Sequence, residues 1–218
     1  MKAGILVFPG SNCDKDLDLV LREVYNFETE LLWHTKSFNV NHDIYFLPGG
    51  FSYGDYLRSG AMASRSLSVN SLKEAEKKDK KIVGICNGFQ ILTEARFLPG
   101  ALIRNKNLKH IARWEALVPM GLFKDKIPED YSLPVSHSEG NYLADVDLLK
   151  ELKDNNQIIF KYKNNPNGSK DDIAGIISKN QNVIGLMPHP ERAVFSAKDT
   201  PLPAASGNSF FDAIFQGL

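Results

Sequence analysis

Residues 81–95 constrain this chain more than any other stretch. Lys81-Ile82-Val83-Gly84-Ile85 is a short apolar, β-branched run, and Phe89-Gln90-Ile91-Leu92-Thr93-Glu94-Ala95 has the apolar spacing of a helix. Only Cys86-Asn87-Gly88 stands between them, so a strand must turn abruptly into a helix at Cys86. Such an elbow forces its central residue into a strained backbone, and Gly84 and Gly88 leave room that side chains would otherwise fill. The sulfur is thereby held out at the end of a sheet. It sits over the first N–H groups of the helix, whose partial positive charge favours an anion. Gly-x-Cys-x-Gly at this junction predicts a nucleophile rather than a structural cysteine, and a nucleophile calls for a base elsewhere in the chain.

The rest of the chain supplies a sheet for that elbow. Met1 to Phe8 is a first strand that runs into Pro9-Gly10-Ser11-Asn12, too short in its apolar core for a signal peptide. Asp14 is expected to cap a helix from about Asp16 to Asn26, with Leu17, Val20, Leu21 and Val24 on one face. Thr29 to Trp33 and Asp43 to Leu47 are strands, the latter ended by Pro48-Gly49-Gly50 and a glycine-rich loop to Gly60. A helix from about Ala61 to Lys78 then leads to the strand before Cys86. Alternating strands and helices predict an α/β fold, a mostly parallel sheet covered by helices on both faces, with ligands at the strands' C-terminal ends.

After Pro99 the alternation stops. Ala116-Leu117-Val118, Leu133 to Ser136 and Gln157 to Tyr162 are short β-like runs expected as appended β-hairpins. Asn164 to Ser169 is a turn cluster, followed by strands at Ile173 to Ile177 and Asn182 to Leu186. Ser209 to Phe215 is an amphipathic, Phe-rich helix expected to dock on the core. A single domain over residues 1–218 accommodates all of this.

Composition narrows the partners. Twenty-six basic and 26 acidic residues balance to zero formal charge, which argues against a nucleic-acid surface. Two cysteines, Cys13 and Cys86, are too few for a disulfide framework and suit the reducing cytoplasm. No uncharged apolar stretch is long enough to cross a bilayer, so no membrane role is expected.

Met187-Pro188-His189-Pro190-Glu191-Arg192 offers the missing base. Pro190 pushes His189 toward an extended conformation, in which residues two apart point the same way. Glu191 is then placed to accept from one ring nitrogen of His189, leaving the other to exchange protons with Cys86. The three make a Cys-His-Glu triad. His34, His42 and His110 lack neighbours at ligand spacing, so no metal is expected. A thiolate attacking a carbonyl also needs oxyanion donors; Asn87 offers its N–H at the helix start, and Gly49-Gly50 is the candidate loop for a second.

Leu47-Pro48-Gly49-Gly50, Gly84 to Gln90 and Pro188-His189-Pro190-Glu191 together resemble the class I glutamine amidotransferases. Phe8 to Asp14, Gly49 to Arg58 and Gly185 to Arg192 resemble one branch, the glutaminase subunits of phosphoribosylformylglycinamidine synthases of purine biosynthesis. The resemblance implies Cys86 as nucleophile, His189 as acid and base, Glu191 as its orienter, and the Gly50 and Asn87 N–H groups as the oxyanion hole. It implies that Gly49, Gln90, Ser136 and His137 line the glutamine pocket, though a core or interface role for His137 stands beside that. Ile111-Ala112-Arg113-Trp114 departs from the aromatic and cysteine usual before Arg-Trp, and Asn141 replaces a usually basic residue.

The same resemblance implies a synthetase subunit as partner, with a small accessory subunit. ATP and Mg belong on the synthetase, in keeping with the lack of a Gly-x-x-x-x-Gly-Lys-Ser/Thr phosphate loop here. No cofactor is expected in this chain. Two other readings of the elbow are a thiol peptidase or chaperone-like protein, and an inactive regulatory binding module.

Overall fold

The computed structural model describes residues 1–195 and 206–216. The chain forms two compact units, Met1–Ala101 with Ile177–Gly185, and Leu102–Ile176 with Leu186–Leu218.

The first unit opens β1 (Lys2–Val7), α1 (Asp14–Glu23), β2 (Glu28–Trp33), β3 (Ile44–Leu47), α2 (Leu67–Lys77), β4 (Lys81–Ile85) and α3 (Asn87–Glu94). Its strands stand in the order β2-β1-β3-β4, and the β1–β2, β1–β3 and β3–β4 pairs are all parallel. Every residue of β3 is buried, and so is all of β4 after Lys81, so both faces of these central strands are covered. Ile5, Leu6, Leu17, Leu21, Tyr45, Phe46 and Phe89 are the large side chains sealed in this core. With alternation as its cause, this half matches the expected parallel sheet.

Helix boundaries shift for local reasons. Cys13, not Asp14, occupies the N-cap of α1, and its side chain makes no capping bond. The helix stops at Glu23 because Asn26 turns left-handed at φ 55°. Helix α2 begins six residues later than expected. Ala63–Arg65 form a 3-10 turn, and Ser66, extended at ψ 159°, caps α2 by accepting from the Val69 N–H.

In the second unit follow β5 (Ala101–Ile103), β6 (Ile111–Pro119), β7 (Ser132–His137), β8 (Asn141–Leu143), α4 (Val146–Asp154), β9 (Ile158–Tyr162) and β10 (Ile173–Ile177). The order β10-β9-β6-β7 is antiparallel throughout, with Ile111 opposite His137 and Trp114 opposite Pro134. These are the expected hairpins, and β6 is longer than the apolar run Ala116–Val118 suggested because it serves β7 with one half and β9 with the other. Pro134 is tolerated because β7 is an edge strand. The helix α4, capped by Asp145 accepting from the Leu148 N–H, and the β5–β8 ribbon were not expected from the sequence.

The chain ends in β11 (Val183–Leu186), which lies beside β4, and α5 (Ser206–Phe215). The Phe-rich face of α5 docks as expected: Phe210 stacks 5.7 Å from Phe123, which stacks 5.4 Å from Phe160.

Candidate active site

Cys86 ends β4 and caps α3 with φ 51° and ψ −106°, a left-handed conformation in a residue with a Cβ. Such a conformation costs on the order of 1–3 kcal/mol and persists only where the surroundings impose it. Gly88 shows what imposes it. A Cβ there would lie 1.9 Å from the Leu47 carbonyl oxygen, so the first turn of α3 packs backbone against the end of β3. Cys86 is almost wholly buried, and its carbonyl accepts the first helical bond from the Gln90 N–H at 3.1 Å.

The Asn87 side chain, also buried, ties this helix to the glycine-rich loop. Its Oδ1 accepts from the Ser52 N–H at 3.2 Å, and its Nδ2 donates to Gln90 Oε1 at 2.9 Å. One turn further along α3, Glu94 takes a two-pronged bond from Arg58, at 2.6 and 2.5 Å. Gly49 and Gly50 are held from the other side. The Gly49 carbonyl accepts from the Asn12 and Cys13 N–H groups, and Phe51 N–H donates to the Gly10 carbonyl. Gly50 has φ 150°, and a Cβ on it would lie 2.7 Å from the Gly10 carbonyl oxygen. Close approach at Gly50 is therefore to the Pro9–Asn12 turn, a partner that sequence reasoning did not assign. Gly49, Gly50, Cys86, Asn87 and Gln90 all belong to the first unit.

The second unit carries the other expected residues. His189 and Glu191 are both buried, and Nδ1 lies 2.6 Å from Glu191 Oε1. A carboxylate accepting there places the proton on Nδ1 and leaves Nε2 as the basic nitrogen. The pairing is as expected, but its geometry is not strand alternation. His189 is extended, at φ −108° and ψ 86°, and Pro190–Arg192 then close into a 3-10 turn that swings Glu191 back to the ring. The His189 N–H donates to the Pro134 carbonyl at 2.8 Å, which anchors this turn to β7.

On β7, Ser136 and His137 point to opposite faces. Ser136 Oγ lies 3.2 Å from Nε2 of the exposed His110, whose Nδ1 meets Ser138. His137 is buried, with Nδ1 3.1 Å from Asn105 Oδ1. Burial, and after it the neighbouring charges of His189 and His110, push its pKa down to about 3. Its ring is therefore neutral. Asn105 escaped the sequence reading altogether. Cys13 is buried, and its Sγ donates to Asn12 Oδ1 at 3.2 Å.

Residues 1–216 match the family model described as the CobB/CobQ-like glutamine amidotransferase domain. The chain is 50% identical over 201 residues to the phosphoribosylformylglycinamidine synthase subunit PurQ of Leptospira interrogans, covering 89% of this chain and 91% of that one. It is 52% identical over 195 residues to the same subunit of Prochlorococcus marinus, covering 87% and 88%. Its fold matches a chain in the structure of PurLQS from Thermotoga maritima with a TM-score of 0.86 and 35% identity, over 99% of this chain and 98% of that one. None of the helices among the described residues is long and apolar enough to cross a membrane. The chain therefore belongs to the CobB/CobQ-like glutamine amidotransferases and, within them, to the family of PurQ subunits of phosphoribosylformylglycinamidine synthase.

Proposed function

We propose that this chain is the glutaminase subunit of phosphoribosylformylglycinamidine synthase, acting in the cytoplasm on glutamine through Cys86, His189 and Glu191. Likeness to PurQ subunits over most of the chain carries the reading, at 50% identity to the Leptospira interrogans protein. The strained elbow at Cys86 and the buried His189–Glu191 pair supply the chemistry it requires.

The Cys86 thiolate attacks the side-chain carboxamide carbon of glutamine, and the N–H groups of Gly50 and Asn87 hold the oxyanion. His189 gives its proton to the departing nitrogen, the C–N bond breaks, and ammonia leaves a γ-glutamyl thioester. Water then loses a proton to His189 and attacks the thioester, which releases glutamate and restores the thiolate. Gly49, Gln90 and the Ser136–His137 segment line the substrate.

Ammonia passes to a synthetase subunit that binds ATP and Mg and converts formylglycinamide ribonucleotide to formylglycinamidine ribonucleotide, with a small accessory subunit in the assembly. One amidotransferase domain spanning residues 1–218 performs the first half, and no cofactor or metal of its own is needed. Exposure to an electrophilic glutamine analogue followed by peptide mapping tests the reading. A single adduct on Cys86, blocked by glutamine and formed faster with the synthetase subunit, is expected. Labelling at Cys13, or none in the complex, overturns it.

A further inference from the structure

Just past Gly50 the backbone enters a left-handed turn. Tyr53, Gly54 and Asp55 follow one another at φ 54°, 69° and 55°, and Leu57 comes after them at 71°. Residues with a Cβ visit this region at a cost, and singly rather than in runs. Such a turn persists only where its surroundings impose it.

The imposing contacts can be named. The Tyr53 N–H donates to the Pro9 carbonyl at 2.7 Å, and the Tyr53 hydroxyl lies 2.6 Å from Nδ1 of His34. His34 is buried just beyond the end of β2, where its N–H donates to the Val7 carbonyl and its ring meets that of Tyr53 edge-on, 5.3 Å between centroids. Burial lowers the pKa of His34 and raises that of Tyr53, so near pH 7 the bond joins two uncharged groups. At its far end the loop packs on α3, since a Cβ on Gly60 would lie 2.7 Å from the Ile91 nitrogen.

The buried Asn87 side chain spans the turn. Its Oδ1 accepts from the N–H of Ser52, the residue before the turn, and its Nδ2 reaches Asp55 Oδ1 at 3.5 Å. Ser52 is two residues beyond Gly50. The two proposed oxyanion donors, Gly50 and Asn87, are therefore joined through this one turn. Donors act on a developing oxyanion only when they are held in place before it forms.

We infer that Tyr53 is a positioning residue: bonded to His34, it holds the left-handed turn that locks Ser52 to the Asn87 amide, and so sets the Gly50 and Asn87 N–H groups relative to each other. The reaction it serves rests on the glutaminase reading; the coupling of the turn to Asn87 does not.

Kinetics of the complex with the synthetase subunit test the first part. Tyr53→Phe removes the hydroxyl and keeps the ring. With active sites counted as Cys86 adducts of the glutamine analogue, kcat per site is expected to fall about tenfold while KM for glutamine stays within about twofold, the pattern of an interaction made in the transition state. A variant that only folded less well would show fewer sites and an unchanged rate at each. An unchanged rate per site, or a loss carried in KM, overturns the inference. His34→Leu is expected to match Tyr53→Phe, whereas His34→Asn, whose amide both gives and accepts near the position of Nδ1, recovers most of the rate. Equal losses in the two His34 variants would assign the effect to packing and overturn it. In an Asn87→Ala background Tyr53→Phe is expected to cost less than about twofold, because the link is already cut, and a full tenfold loss there overturns it.

Hydrogen exchange on the full chain tests the second part without substrate. The Ser52 amide is expected to exchange about tenfold faster in Tyr53→Phe than in wild type, and an unchanged rate overturns the coupling. Absence of a Cys86 adduct in the wild-type complex overturns the glutaminase reading instead, and the exchange rates then decide the coupling.

Discussion

Glu191 Oε1 and His189 Nδ1 meet at 2.6 Å with both side chains buried, across a 3-10 turn that begins at Pro190. The carboxylate fixes both the orientation of the ring and the nitrogen that holds the proton. Glu191→Gln keeps the shape of this contact but allows the amide to donate, which turns the ring toward the wrong tautomer. Glutamine hydrolysis by the complex is expected to fall about a hundredfold or more in kcat, with KM little changed. Steady-state kinetics check this, and a kcat within about twofold of wild type would remove Glu191 from the mechanism.

Cys86→Ala separates the two halves of the reaction. The variant complex is expected to lose glutamine-dependent synthesis by at least about a thousandfold, since the proposed nucleophile of the thioester is gone. Ammonium salts added in place of glutamine are expected to support ATP-dependent product formation. Retention of glutamine use would place the nucleophile elsewhere.

Gly88→Ala tests the packing that creates the elbow. The added Cβ would meet the Leu47 carbonyl oxygen at 1.9 Å, so α3 must move off the end of β3. Overpacking of this kind costs roughly 1–3 kcal/mol, or about 3–10 °C in Tm for a chain of this size. Thermal unfolding is expected to show that drop, together with slower analogue labelling of Cys86. An unshifted Tm would mean that the helix is free to yield.

His137 makes stability depend on pH. Its folded pKa, about 3, lies below the ordinary 6.5, so in that interval the unfolded chain binds a proton that the folded chain does not. Stability is thus unaffected by this group above about pH 6.5 and declines as pH falls toward 3, by about 1.4 kcal/mol per unit at most. Denaturant titrations between pH 6.5 and 5, above the main carboxylate range, are expected to show a steeper decline in wild type than in His137→Gln. Equal slopes would show that the ring charges freely in the folded state.

Much of the site could be read from the chain because it is local. The apolar run before Cys86, the helical spacing after it and the flanking Gly84 and Gly88 lie within a dozen residues, so the elbow is legible locally, although its packing against Leu47 is not. The partnership of His189 and Glu191 was equally legible from their spacing, but not its conformation. The fixed φ of Pro190 suits an extended chain and the first position of a helical turn alike, and the fold takes the second. Helix α4 had a readable signal in Asp145 before Val146, Leu149 and Leu152, obscured by the strand-like runs on either side.

What the sequence by itself determined is therefore the chemistry: a thiol on an elbow, an imidazole beside a carboxylate, and the parallel strands that end beneath the thiol. Tertiary structure alone decided what holds His137. Asn105 stands in Arg104-Asn105-Lys106-Asn107, an ordinary polar loop by composition, and its partners lie 4, 32 and 35 residues away at Lys109, His137 and Gly140. A side-chain amide takes its orientation from the polarity of the main-chain groups around it. Those groups come together only when β5, β7 and the turn at Gly140 have folded.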